Sequence, residues 1–250
     1  DVTSAAPFTS KSPSIKCVKN IFIQGRCTLV VSFQMYKILA LNCLLNAYSL
    51  SVLALKGVKY SDYQALYMGF AVAIFFMMLS KATPLKKLNR NKPPSTIFTV
   101  DSIVSIIGQA VVSLASMLAI TYYTKVVDPV AYGEVKSLDD DFTPTLMNTI
   151  MFIYSFINQT ITLVVNYMGE PFMENMTKNP TLNKMVIGIV GFCLVVIFDI
   201  YPPLNEALEL LPLPEDMMYK CSLVGIMAAN WILCYLFENW KKLLGYYKDL

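Results

Sequence analysis

Six runs of mostly apolar residues recur along the chain, separated by short stretches rich in charge, proline and asparagine. They lie near residues 28–55, 62–80, 98–123, 144–167, 184–201 and 217–237. A helix of about 20 apolar residues crosses a hydrocarbon core of about 30 Å. Inside such a core a lone segment satisfies its own backbone only as a helix. The pattern therefore predicts an all-α fold, a polytopic membrane bundle of six transmembrane helices. The fifth run is the shortest, and Tyr201-Pro202-Pro203 ends it, because proline has no amide to continue the ladder. The stretch KATPLKKLNRNKPPST reads as a proline-bearing connector.

Basic residues fall unevenly on the two sides of this bundle. The N-terminal stretch (Lys11, Lys16, Lys19, Arg26), the second connector (Lys81, Lys86, Lys87, Arg90, Lys92), the fourth (Lys178, Lys184) and the tail (Lys241, Lys242, Lys248) share one side. An excess of lysine and arginine marks the cytosolic face, so both ends of the chain are expected there. The opposite connectors concentrate acid, at Asp128, Glu134 and Asp139 to Asp141 in one and at Glu206, Glu209, Glu215 and Asp216 in another. The sequons at Asn158 and Asn175 fall within a span and on the cytosolic side, where glycosylation is not expected.

Composition narrows the chemistry. Of 250 residues, 56% are hydrophobic and 15% charged, too apolar a balance for an ordinary soluble domain. The net charge of +3 is scattered through loops and never interleaved with aromatics, so nucleic acid is not an expected partner. Six cysteines form no CxxC pair and no histidine is present, which sets aside a zinc site and imidazole chemistry. Most of the cysteines lie in apolar runs and read as small buried hydrophobes. There is no glycine-rich phosphate loop, no GxSxG and no pairing of nucleophile with base. The opening DVTSAAPFTSKSPSIKC has no charged start followed by an apolar core, so no cleavable signal is read there, and with no initiator methionine the chain is expected to be part of a longer protein.

Polar groups in hydrocarbon cost free energy unless paired, so the polar residues within spans are the first candidates for function. At about 100° per residue, Gln34, Asn42, Asn46 and Ser49 fall within roughly a third of the first helix's circumference. This stripe reads either as packing glue between helices or, taken with Lys37, as a cavity wall. Lys37 lies toward the cytosolic end, where its stem can carry the ammonium to the interface. Asp62 and Gln64 open the second span; Asp62 reads as a helix cap, as an acidic cavity mouth, or as both. Asp101 and Asp199 lie near interfaces and read as structural, whereas Asn158 and Gln159 lie deeper and face either the stripe or another helix. Tyr122, Tyr123, Tyr201, Trp240, Tyr246 and Tyr247 form an interfacial belt.

Several stretches resemble one known family. AAPFTSK followed by GRCTLVVSFQMYKILALNCLLNAYSLSVLALKGVKYSDYQA is similar to the region after the phosphorylation domain in P-type ATPases of type 5A, the endoplasmic reticulum subgroup. The stretches SKATPLKKLNRNKPPSTIF, FTPTLMNTIMFIYSFINQTITLVVNYMGEPFMENMTKNPTL and FENWKKLLG resemble the last membrane hairpins and C-terminus of that subgroup, in the same order. The resemblance implies that the six spans are core helices five to ten. It further implies a division into a cytosolic linker and stalk (1–27), two transport-domain helices (28–80), and four support-domain helices with a cytosolic tail (81–250).

The family's catalytic aspartate, in a DKTGT motif, and its magnesium-binding GDGxND motif do not occur in these residues. ATP and magnesium are therefore implied as cofactors of a full-length enzyme, with none expected in this part. The implied function is ATP-driven extraction of mistargeted transmembrane helices, such as mitochondrial tail-anchored proteins, from the endoplasmic reticulum membrane. The implied partners are the lipid bilayer, a transmembrane-helix client and the remaining domains of the same ATPase. On this reading Gln34, Asn42, Asn46, Ser49, Asp62 and Gln64 are candidate substrate-binding residues. Two other readings stand beside it: a cation pump of the same superfamily, for which the spans lack a set of carboxylates, and a non-catalytic membrane scaffold.

Overall fold

A computed structural model describes residues 14–90, 92–94, 96–130 and 141–243, apart from the side chains of 241–243. The N-terminal Lys11, the acidic Glu134, Asp139 and Asp140, and Lys248, Tyr246 and Tyr247 of the tail lie outside the described residues. Among the described residues seven α-helices follow in order: α1 (Cys17–Ala54), α2 (Asp62–Ser80), α3 (Val100–Val127), α4 (Leu146–Val165), α5 (Pro180–Phe198), the short α6 (Pro202–Ala207) and α7 (Met217–Leu243). A 3-10 turn, Met176–Lys178, precedes α5. All but α6 are long and apolar enough to cross a membrane. The chain is an all-α, six-span membrane bundle.

One helix forms the axis of the bundle. α4 packs against α1, α2, α3, α5 and α7, while α3 also lies along α7 and α1. Its most apolar stretch is 94% buried, against 22–44% for the other five spans. Aromatic packing fixes it laterally: Phe156 meets Phe192 of α5 with ring centroids 5.4 Å apart, and Phe152, Met151 and Tyr154 are fully enclosed. Such pairs add about 0.5–1.5 kcal/mol beyond simple burial.

Local sequence sets the helix ends. Thr99, Thr145 and Asn179 stand at N-cap positions and accept from the backbone N–H groups of Ser102, Asn148 and Leu182 at 3.1–3.2 Å. α2 is capped by Ser61, whose own N–H donates to Gln64 Oε1 at 3.2 Å in a capping box. The cap is therefore not Asp62. That residue lies exposed in the first turn, where its charge still meets the positive end of the helix dipole. α5 ends on Asp199 in the left-handed conformation (φ 51°), and Asn205 Nδ2 donates to its carboxylate at 2.6 Å. Proline at the start of α6 then costs nothing, because the first helical amides have no partner anyway.

Two features depart from the hydrophobic pattern. α1 begins at Cys17, not near 28, and its 38 residues make a rod of about 57 Å, far longer than a bilayer core is thick. The helix runs unbroken across the 27/28 division. Cysteines also divide differently: among the six, all unpaired, Cys27, Cys193 and Cys234 are buried, but Cys43 and Cys221 are exposed on outward faces.

The basic-side connectors are tied together and to α1. Arg26 Nη1 donates to the Asn89 carbonyl at 2.7 Å, and Glu174 N to the Thr83 carbonyl at 3.0 Å. A shallow pocket opens there between residues 85–90 and Glu170-Pro171, outside the spans.

Candidate functional site

The polar residues of α1 share one arc, but the bundle covers only part of it. Buried positions, from Val30 to Leu53, cover an arc of roughly 160° with Lys37 at one edge and Leu53 at the other. Gln34, Asn42 and Ser49 fall inside that arc and are nearly inaccessible. Asn46 falls roughly 20° past its edge and is exposed. The predicted stripe is thus split, with three residues turned into the bundle and one turned out.

Within the arc, partners differ from residue to residue. Gln34 Oε1 accepts from the Met168 backbone N–H at 3.0 Å, joining α1 to the chain just beyond α4. Ser49 Oγ donates back to the Asn46 carbonyl at 3.0 Å. Gln34 Nε2 and Asn42 Oδ1 are buried and meet no partner among the described residues. On α4, Gln159 Oε1 and Thr160 Oγ1 share that condition. α1 and α4 run antiparallel, and stepping along both from the Gln34–Met168 bond at about 1.5 Å per residue brings Asn42 level with Gln159 and Thr160. This level is near mid-bundle.

Lys37 does not reach for the interface. Its Nζ donates to Glu238 Oε2 of α7 at 2.5 Å, and the two side chains are only 8% and 20% exposed. The same carboxylate accepts from Ser105 Oγ and from Gln109 Nε2, the latter at 3.0 Å, both on α3. Gln109 and Asn166 complete the group by exchanging amide bonds of 2.9 and 3.1 Å. Charge-assisted bonds of this kind are about twice as strong as neutral ones, and this group joins α1, α3, α7 and the end of α4. Glu238 escaped the sequence reading because it falls just past the last apolar run, and its partner is 201 residues away.

Gln64 is committed at the opposite, acidic end. Its side chain exchanges bonds of 2.9 Å with Asn148 of α4 and donates to the Leu208 carbonyl at 3.1 Å, and no part of it is accessible. Ser61 Oγ donates to the Glu209 carboxylate beside it. Asp62, one residue on, faces outward. Next to them Tyr60 bonds Ser155 at 3.2 Å, and burial pushes its phenol pKa up, so it stays a neutral hydroxyl. Asn158 belongs to a third group: its Oδ1 accepts from Asn230 Nδ2 at 2.8 Å and from Ser113 Oγ at 3.3 Å. It faces α3 and α7, away from α1.

The outward faces also differ. α3, α5 and α7 present Ile107, Val111, Leu118, Ile187 and Ile232, as a lipid-facing surface requires, with Tyr122 and Tyr235 among them. α1 and α2 present Tyr36, Tyr48, Tyr63, Tyr67 and the Asn46 amide among their leucines.

Comparison with known proteins decides the family. No family model matches the chain. It is 41% identical, over 91% of its length, to the endoplasmic reticulum transmembrane helix translocase of Saccharomyces cerevisiae. It is 36% identical over its whole length to the protein of the same name in Schizosaccharomyces pombe. The chain belongs to the P-type ATPases, in the type 5A subgroup. A further relative, the probable manganese-transporting ATPase PDR2 of Arabidopsis thaliana, is 38% identical over 98% of the chain. In each case the type 5A chain spans only about a fifth of the relative's length (18–20%).

Proposed function

We propose that this chain is the membrane-domain portion, core helices five to ten, of an ATP-driven transporter that extracts mistargeted transmembrane helices from the endoplasmic reticulum membrane. The names of its fungal relatives support this reading. So does one observation above the others: the Asn46 amide lies on the uncovered face of α1, about 12 Å from that helix's end and so within the hydrocarbon. An unpaired amide costs too much against lipid alone. A client helix with polar flanks, or the remaining membrane helices of the same protein, would complete its bonding.

On this reading 28–80 is the transport half and 81–250 the support half, with both ends cytosolic by the distribution of lysine and arginine. By the family resemblance, ATP and magnesium act in domains outside this chain, at the DKTGT and GDGxND motifs. Phosphorylation there moves the projecting end of α1, and the transport helices tilt with it. Asp62 and the acidic connectors draw the basic tail of a client toward the lumenal mouth.

The name of the Arabidopsis relative raises the alternative of a manganese pump. A divalent cation seeks hard carboxylate oxygens, which Asn42, Asn46 and Ser49 do not supply; they would have to come from outside this chain. The test is vanadate-sensitive extraction of a tail-anchored client by the full-length protein carrying Asn46→Leu. Extraction is expected to fall while expression holds. Unchanged extraction would remove Asn46 from the client path.

A further inference from the structure

The buried ion pair between α1 and α7 has an asymmetric design. Glu238 Oε2 accepts from three donors, Lys37 Nζ, Ser105 Oγ and Gln109 Nε2, and two of these belong to α3. Among the described residues Lys37 Nζ has only the one carboxylate. If α1 moves, Glu238 keeps two hydrogen bonds from a helix packed along its own. Lys37 sits about 25 Å from the acidic end of α1, which puts it within a few ångströms of the opposite bilayer surface. A short displacement toward the basic side carries its ammonium to water. Both charges are thus provided for in the separated state as well as in the joined one.

Position adds the second half of the argument. Among the described residues α1 projects from the bundle as a continuous rod from Cys17. Force applied to that projection meets the bundle first at the level of Arg26, Gln34 and Lys37. Gln34 contributes a single neutral bond there, and its Nε2 is already unpartnered. The ion pair joins two full charges there, whereas the Arg26 guanidinium donates to the neutral Asn89 carbonyl.

We propose that Lys37 and Glu238 form a releasable latch, which holds α1 against α3 and α7 in one state of the cycle and opens in the other. They are positioning residues: neither touches the client, and the pair sets how far α1 swings. This deepens the helix-extraction reading and rests on it for the identity of the cargo. It does not rest on it for the motion.

The test uses the full-length protein in an otherwise cysteine-free background, spin-labelled at Tyr36→Cys of α1 and Tyr235→Cys of α7, both on outward faces. Distances are measured without ligand and with magnesium and vanadate. Two distance populations are expected, exchanging between the conditions. Glu238→Gln and Lys37→Met should raise the separated population without ligand by about threefold or more. Ser105→Ala should move it the other way, because the released carboxylate then keeps one donor fewer.

A merely structural ion pair would give one population in both conditions, or no opposite shift from Ser105→Ala, and either result overturns the latch. Extraction per ATP hydrolysed, read in parallel, should fall about fivefold in the single variants. A protein that hydrolyses ATP and extracts no helix would overturn the cargo reading while the distances still judge the latch.

Discussion

α1 and α4 carry similar polar loads through the membrane and use them in opposite ways. α4 is enclosed on every side, and most of its amides are consumed by neighbours: Asn148 by Gln64, Asn158 by Asn230 and Ser113, Asn166 by Gln109. α1 is enclosed on one side only. There Lys37 is paired across to α7, Gln34 is half satisfied, Asn42 is unsatisfied and Asn46 is turned out. An amide in a membrane helix is glue or function according to what meets it, and counting amides does not distinguish the two. The axis of the bundle is a fixed post, and the helix beside it is held by contacts that can be let go.

Substitutions can break this contrast in graded steps. The largest loss is expected from Gln64→Leu, which removes the capping box and strands Asn148 and the Leu208 carbonyl in a dry site. Heat unfolding of the full-length protein in detergent should show about 2 kcal/mol of destabilisation. Asn158→Leu should cost about 1 kcal/mol in the same assay, the usual scale for one interhelical network in a membrane protein. Asn42→Leu should be neutral to within about 0.5 kcal/mol, because the amide oxygen it removes makes no bond. If Asn42→Leu destabilised as much as Asn158→Leu, the distinction between paired and unpaired amides would fail.

The architecture was legible from hydrophobic runs alone, since hydropathy reports the slab that a helix must cross. It does not report helix that continues into water, so residues 17–27 of α1 and the charged end of α7 fell outside the runs. The α2 cap was available as Ser61-Asp62-Tyr63-Gln64, a hydroxyl followed three residues later by an amide. The carboxylate of Asp62 beside it is an equally good capping group by residue type, so the sequence alone does not choose between them. The polar stripe was found, but a period of 100° per residue cannot show which edge of it the neighbours cover, and Asn46 lies at that edge. Nothing local marks Glu238. A glutamate near the end of a span is usual at an interface, and only the folded bundle brings Lys37 to it.

The most direct test is whether the uncovered face of α1 meets the client. A photoreactive residue would replace Asn46 in the full-length protein, with Ile232 on the outward face of α7 as the comparison. During ATP turnover with a radiolabelled tail-anchored client, adducts are expected at position 46 at about tenfold the yield at 232, the contrast expected of an occupied site against lipid. Equal yields at the two positions, or adducts at 232 with none at 46, would contradict the assignment of that face to transport.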